Sequence, residues 1–431
     1  MASSLAARVA RNETLSAAWG VWALLFGIGL LMVGNGLQSS LLGVRASTED
    51  FGSTVTGLVM SGYFVGFLAG STLTPRAVAR VGHVRVFAAL ASLASMTILV
   101  HAVFVTPVVW GLMRLFTGFA YAGLYVVAES WLNDRASNEL RGRLLSVYMI
   151  VTFMGLGGGQ ALLNVASPST PDLFILISVI VSFAVVPILL SATRQPDSDA
   201  PDPLSLRQLY RITPLGTLGC FATGIVNGTI FGMGAVYARM SGLSVAEVSV
   251  FMGVLIAGGA VLQWPIGKLS DIMDRRKVIT GTALAAAALA ALAVPVADIS
   301  RIGFMAIAAG IGGTALTLYS LFLAYANDHL EPRQMVAASS GLVLVGGLGA
   351  VLGPSTTGWV MGRVGAEGFL WYLCVVHAGI ALFALYRMTR REAPSGDDQV
   401  SYVVVPTRTT PMGTAWTDEV SGENEEAPAG G

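Results

Sequence analysis

Inside its long apolar stretches this 431-residue chain carries one carboxylate, Glu129, and one fully embedded guanidinium, Arg114. Both lie on the stretch 107–131. An arginine at the centre of a spanning helix costs about 2.5–3.5 kcal/mol on insertion scales, so it faces a wet cavity, a polar partner or an anionic ligand. Arg114, Gly118, Tyr121, Tyr125 and Glu129 follow one another at helical spacing and form a polar stripe on an otherwise apolar helix. Arg114 sits about 5 residues, about 7 Å, from the middle of its span, and its 15-residue separation from Glu129 is about 22 Å along a helix axis. The two cannot pair directly. Arg114 either holds an anionic group or bonds buried amides such as Asn35 and Gln38, and Glu129 either carries a proton or closes a salt bridge with Arg135, Arg141 or Arg143. Asn35, Gln38, Asn227 and Tyr319 are the other polar groups in the spans, each a substrate contact or a helix–helix hydrogen bond.

These residues need elements that cross a bilayer. The chain is 54% hydrophobic and 12% charged, about half the charge of a soluble domain. Twelve spans of about 20 residues need about 240 apolar positions, and 54% of 431 supplies roughly that number. A soluble enzyme is excluded. So is a nucleic-acid binder, because 25 basic and 25 acidic residues cancel without a basic patch. Cys220 and Cys374 fall in apolar runs and build no disulfide framework. His83, His101, His329 and His377 lack metal-ligand spacing, and neither metal nor cofactor is expected. The N-terminal apolar run is too long for a cleaved signal and is read as the first span. Twenty of the 25 Lys and Arg residues fall in alternate loops together with the termini, against four in the opposite loops (Arg45, Arg239, Arg301 and Arg363). The positive-inside rule then places both ends in the cytoplasm of a bacterial inner-membrane, multi-pass protein.

The chain is internally duplicated. Leu124-Tyr125 and Asn133-Asp134 recur 194 residues later as Leu318-Tyr319 and Asn327-Asp328, and Gly155 and Gly159 recur at the same offset as Gly349 and Gly353. The basic loop starting at Pro75 recurs 192 residues on at Gly267. The reading is a cytoplasmic N-terminus (1–19), a six-helix half (20–191), a Pro- and Asp-rich cytoplasmic linker (192–213), a second six-helix half (214–387) and an acidic, solvated, disordered cytoplasmic tail (388–431), in which SYVVVP could lie against the body.

The loop Gly267-Lys268-Leu269-Ser270-Asp271-Ile272-Met273-Asp274-Arg275-Arg276-Lys277 is similar to the loop signature of the major facilitator superfamily, with Asp274 where glycine is usual. Its first-half counterpart is degraded and keeps Arg80 and Gly82, while Arg114 to Gly118 is similar to the family's fourth-helix motif. Tyr63-Phe64 ahead of Gly70, Glu129-Ser130, the run Arg141 to Leu145, the run Gln263 to Gly267 and Leu352-Gly353-Pro354-Ser355 resemble the YcaD-like group of bacterial facilitators. The resemblance covers about residues 20–387. It implies an all-α membrane protein of twelve transmembrane helices in two pseudo-symmetric six-helix halves, working by alternating access, with helices 1, 4, 7 and 10 lining the cavity. It also implies that Gly267, Asp271, Arg275 and Arg276 form a conformational latch between the halves. The G-x-x-x-G pairs at Gly155/Gly159 and Gly349/Gly353 are expected at the interface between halves. Antiporters of the superfamily often continue the fifth-helix pair with proline, and Gln160 stands there instead.

The functional reading is a secondary active transporter, not an enzyme, for an anionic or amphipathic small molecule, coupled to the proton gradient. It would be a monomer in the lipid bilayer, with H+ as the coupling ion and Arg114, Tyr121, Tyr125, Glu129, Asn35, Gln38, Asn227 and Tyr319 on the substrate and proton pathway. The alternatives are a drug or metabolite efflux pump of the same fold and an uncoupled uniporter. An intramembrane enzyme would need a paired nucleophile and base or a metal cluster within the spans, and an ATP-driven pump would need a phosphate-binding loop; the sequence carries none of these.

Overall fold

The computed structural model describes residues 22–135, 141–190, 205–330, 332–390, 399–400, 402–405, 410–411 and 413–414. The N-terminal segment 1–19, most of the linker, the rest of the tail, and the side chains of Asp134, Arg135, Arg141 and Arg333 lie outside the described residues. Among the described residues, twelve helices are long and apolar enough to span a bilayer. They are α1 Trp22–Thr48, α2 Ser53–Val81, α3 His83–Val103, α4 Pro107–Arg135, α5 Arg141–Leu162, α6 Asp172–Leu190, α7 Pro214–Met240, α8 Val245–Ile272, α9 Arg275–Ile299, α10 Arg301–Asn327, α11 Pro332–Val364 and α12 Gly368–Met388. A seven-residue linker helix, Leu206–Ile212, starts on a capping box in which the Ser205 side chain accepts from Gln208 N–H and Gln208 reaches back. Outward-facing Val108, Leu190, Trp264 and Ile302 are largely exposed, as side chains bathed in lipid should be.

Sharp reversals join the helices. Gly82, at φ 87°, is the single residue between α2 and α3, a backbone state that side chains with a Cβ seldom adopt. At the repeat-related position 192 residues on, Asp274 has φ −54° and needs no glycine; its side chain accepts from Arg276 N–H and caps α9 instead. This accounts for the departure from the loop signature.

Glycines decide which helices touch. A Cβ on Gly66 would overlap the carbonyl of Leu115, and one on Gly118 that of Tyr63, so α2 and α4 meet backbone to backbone. The same contact recurs between α8 and α10, where Gly258 faces the Ala309 carbonyl and Gly312 that of Leu255. Likewise Gly36 and Gly159 seal α1 against α5, facing the carbonyls of Leu156 and Val33, and Gly228 and Gly353 seal α7 against α11. The duplication read from the sequence is therefore a duplication of contacts. It also corrects one expectation. Gly155 and Gly159 pack on α1, and Gly349 and Gly353 on α7, so both pairs hold a half together rather than lying between halves.

The halves meet at the end away from the linker. Ser61 Oγ donates to the Val351 carbonyl (2.7 Å) and Ser249 Oγ to the Gln160 carbonyl (2.5 Å). Gly57 and Gly358 let α2 and α11 approach closely, and Gly43 lets α1 approach α7. Among the described residues, α4 and α10 share no packed interface at the linker end. The bundle is shut at one end and parted at the other.

Candidate functional site

Between the halves lies a cavity of about 570 Å3, counting the open space at its mouth. Helix α2 supplies Tyr63, Phe64, Phe67 and Leu68; α7 supplies Gly224, Asn227 and Phe231; α10 supplies Tyr319; and α11 supplies Val343, Gly346, Gly347 and Ala350. Gly62, Gly66 and Gly70 seat α2 on α4, and the aromatic and aliphatic residues of α2 form this wall. Asn227 is 5% exposed, and its Oδ1 has no protein hydrogen-bond partner. An unsatisfied buried carbonyl costs about 1–3 kcal/mol, so at a cavity wall it is a ready acceptor for a ligand donor.

Two of the eight expected pathway residues, Asn227 and Tyr319, line this cavity. The α4 stripe does not. Arg114, Tyr121, Tyr125 and Glu129 are buried, at 4%, 0%, 3% and 0% exposure, against their own half. The Arg114 guanidinium lies over the Tyr63 ring at 4.5 Å, a cation–π contact worth about 0.5–2 kcal/mol. Asn35 Nδ2 donates to Tyr125 Oη (2.7 Å), and that hydroxyl donates to Met32 Sδ (3.4 Å). Both groups stand directly behind the cavity wall, since Tyr63 carries Arg114 and the Phe67 ring meets Tyr125 at 5.9 Å. The stripe turns inward because Gly118, in its middle, is pressed on the Tyr63 carbonyl. Gln38, on α1, is 1% exposed, and its Nε2 has no protein partner.

Glu129 lies near the linker end of α4, where Tyr148 Oη of α5 donates to Oε1 (3.0 Å) and Thr410 Oγ1 of the tail donates to Oε2. Of the arginines expected to pair with it, Arg135 and Arg141 have side chains outside the described residues, and Arg143 is exposed.

The charged loop between α8 and α9 is also placed. Arg275 Nη1 pairs with Asp328 Oδ1 at 2.5 Å and Nη2 with Asp271 Oδ1 at 3.3 Å, with the Arg275 and Asp328 side chains each 1% exposed. Burial pushes the Asp328 carboxyl up to about 6, against the pull of Arg275. Arg276 pairs with Asp274 at 2.9 Å; burial alone would raise that carboxyl, and the Arg276 contacts bring it net below its ordinary range. In this conformation Arg275 and Arg276 bind carboxylates of the second half, and Arg275 and Asp271 also bind the tail. Val400, Val405, Thr410 and Thr414 of the tail are buried against the helices, where the sequence suggested a solvated extension apart from SYVVVP.

Three further contributors were not among the expected site residues. The cavity wall of α2 and α11 was legible only as the quoted Tyr63-Phe64 pair. Asp328 could have been singled out as the repeat of Asp134. Gln160 was noted only as a missing proline, yet its Nε2 donates to the Gly36 carbonyl (2.8 Å) and its Oε1 accepts from Ser40 (2.5 Å), tying α5 to α1 at the closed end.

The Major Facilitator Superfamily model matches residues 24–354 and again 217–420. The chain belongs to the major facilitator superfamily. Among relatives of this superfamily, the uncharacterized MFS-type transporter YE1530 of Yersinia enterocolitica is 28% identical over 382 residues, covering 86% of this chain and 95% of its own. The uncharacterized MFS-type transporter YcaD of Escherichia coli is 28% identical over 351 residues, covering 79% and 88%. A point mutant of the nucleoside transporter NupG shares the fold with TM-score 0.74 at 14% identity, over 85% of this chain and 98% of that one. A bacterial homolog of the human lysosomal transporter Spinster, inward-facing and occupied, does so with TM-score 0.67 at 15% identity, over 88% and 99%. This facilitator of the YcaD-like group is a multi-pass membrane transporter, not an enzyme.

Proposed function

We propose that this facilitator moves a small, largely apolar, uncharged or amphipathic molecule by alternating access. One observation carries the reading: the cavity between the halves has an aromatic wall with the unsatisfied Asn227 acceptor in it, and among the described residues its lining holds no charged side chain. The anionic arm of the sequence reading loses support, because Arg114 lies behind Tyr63 rather than in the wall. Ligand packed on Tyr63 and Phe67 would press on rings that hold Arg114 and Tyr125, which gives binding a route into the packing of α4.

The linker end is taken as cytoplasmic from the basic loops, so the bundle described here is closed to the outside. The proposal places this protein as a monomer in a bacterial inner membrane. Protons are taken as the driving ion, with Glu129 as their carrier: among the described residues it is the one carboxylate away from the helix ends, held between a tyrosine and a threonine hydroxyl. A gradient of 100 mV supplies about 2.3 kcal/mol per proton, roughly 50-fold accumulation.

The test is thermal stabilisation of the purified full-length protein by neutral, cationic, zwitterionic and anionic compounds, in wild type, Asn227→Ala and Arg114→Ala. Stabilisation by neutral or amphipathic aromatic compounds that fades in Asn227→Ala is expected. Stabilisation confined to anions and lost in Arg114→Ala would overturn the reading. Proton carriage predicts that Glu129→Gln in proteoliposomes abolishes ligand-driven alkalinisation of the medium; unchanged alkalinisation would remove Glu129 from the pathway.

A further inference from the structure

The C-terminal tail makes a series of specific contacts at the parted end of the bundle. Val400 N–H donates to Asp328 Oδ1 (3.0 Å), and the Val400 carbonyl accepts from Arg275 Nη2 (2.7 Å). Two residues on, Tyr402 N–H donates to Asp271 Oδ1 (2.8 Å). The Tyr402 ring lies on Gly267, where any Cβ would overlap it. Val405 N–H then donates to Ser320 Oγ on α10 (3.1 Å). Beyond this point Thr410 reaches across to Glu129 on α4, in the other half. Val400 and Val405 join the apolar core of the second half, while Val403 and Val404 pack on the main cluster shared by both halves.

We infer that the loop between α8 and α9, with Asp328 and Ser320, is a peptide-binding groove whose occupant is the described part of this chain's own tail, residues 399–400, 402–405, 410–411 and 413–414, and that the docked tail plugs the linker-end mouth of the cavity. Three features fit an extended peptide. Carboxylates two residues apart along the tail accept its backbone N–H groups, a buried arginine grips the carbonyl between them, and a glycine leaves room for one aromatic ring. A charge-assisted hydrogen bond is about twice as strong as a neutral one, so Asp271 and Asp328 anchor the segment well. The plug follows from topology: the described tail residues reach from Asp328 and Asp271 of the second half to Glu129 on α4 of the first, across the gap between α4 and α10. Halves rocking shut at this end would have to expel Thr410 and Thr414, both fully buried. The docked tail therefore both blocks access and holds the bundle parted. The blocking role rests on the reading that the cavity is the transport path; the docking does not.

The test uses full-length protein in nanodiscs and needs no substrate. Hydrogen–deuterium exchange of peptides covering 399–405 and 410–414 reports docking. A cysteine introduced on the cavity wall by Val343→Cys, in a Cys220→Ala/Cys374→Ala background, reports access to a polar maleimide. Protected tail amides in wild type are expected. Val405→Asp, which puts a charge into the buried contact, is expected to release the tail and raise the labelling rate more than about tenfold, the factor carried by losing one hydrogen bond to a charged group. Tyr402→Pro, which removes both the ring and the N–H donor, should do the same and serves if Val405→Asp fails to fold. Tail amides exchanging as fast as free chain in wild type would overturn the docking. A tail that is released with no change in labelling would overturn the plug. Because neither readout involves a ligand, these results are separate from those of the ligand panel.

Discussion

Asn227→Leu is the substitution whose two effects should have opposite signs. Asn227 Oδ1 is buried at the cavity wall with no protein partner. Leaving such an acceptor unsatisfied costs about 1–3 kcal/mol, and replacing it by an apolar group of similar size removes that penalty. The empty variant should therefore be no less stable than wild type, and up to about 1–2 kcal/mol more stable. A ligand that donates to Oδ1 loses about 0.5–1.5 kcal/mol, which is a roughly 2- to 13-fold weaker Kd. The assay is differential scanning fluorimetry in detergent, first without ligand and then across a concentration series of the best compound from the panel. The midpoint without ligand should hold or rise while the ligand-induced shift moves to higher concentration. A midpoint that falls by several degrees with an unchanged ligand series would refute the reasoning, because Asn227 would then be a structural hydrogen-bonding residue and not an acceptor for substrate.

Further outcomes follow from the packing and the charges. Gly118→Ala places a Cβ on the Tyr63 carbonyl and should cost about 1–3 kcal/mol by overpacking; Gly111→Ala, where a Cβ meets nothing, should gain about 0.5–1 kcal/mol. Equal melting shifts for the two would contradict the α2–α4 contact. Arg114→Leu should lower stability by about 1–2 kcal/mol through the lost contact with the Tyr63 ring while leaving the response to neutral ligands in place; loss of that response at unchanged stability would return Arg114 to the binding surface. For Asp328 burial pushes the folded carboxyl up from its ordinary 3.8 to about 6. A raised acid contributes stability that is present below the unfolded value and lost as pH climbs through about 6. Acidifying from pH 7 to 5 should thus raise the melting point of wild type relative to Asp328→Asn, and parallel pH profiles would refute it. Ser249→Ala removes a bond that joins the two halves at the closed end. It should shift the balance toward the other conformation by about fivefold for about 1 kcal/mol, seen as faster labelling of a cavity cysteine from that side.

How much of this was legible beforehand depends on which quantity a sequence carries. Spans are a matter of local hydropathy, so twelve of them could be counted from composition and run length. The two-half architecture showed in offsets of 192 and 194 residues, because equivalent helix contacts demand equivalent glycines: Gly66 and Gly258, or Gly118 and Gly312, sit at the same crossing in each half. The basic loops carried the orientation proposed here. Asn227 and Tyr319 could be picked out as cavity contacts because amides and hydroxyls in apolar spans are few.

Tertiary structure alone decided where each helix turns its faces. The spacing of Arg114, Tyr121, Tyr125 and Glu129 defines a stripe but not what it faces; that depends on the rotation of α4, which Gly118 sets by locking onto the Tyr63 carbonyl. The cavity wall accordingly came from α2 and α11, whose inward residues look in the sequence like any other membrane-spanning run. Asp271 and Arg275 belong to a loop signature that sequence can recognise, but their partners, Asp328 and the amides of Val400 and Tyr402, are 53 to 131 residues away along the chain. The tail reads as acidic and solvated because most of it is polar. Its Val400 and Val405 pack on helices of the second half, and pairing at that distance is a property of the assembled bundle, with no local pattern to announce it.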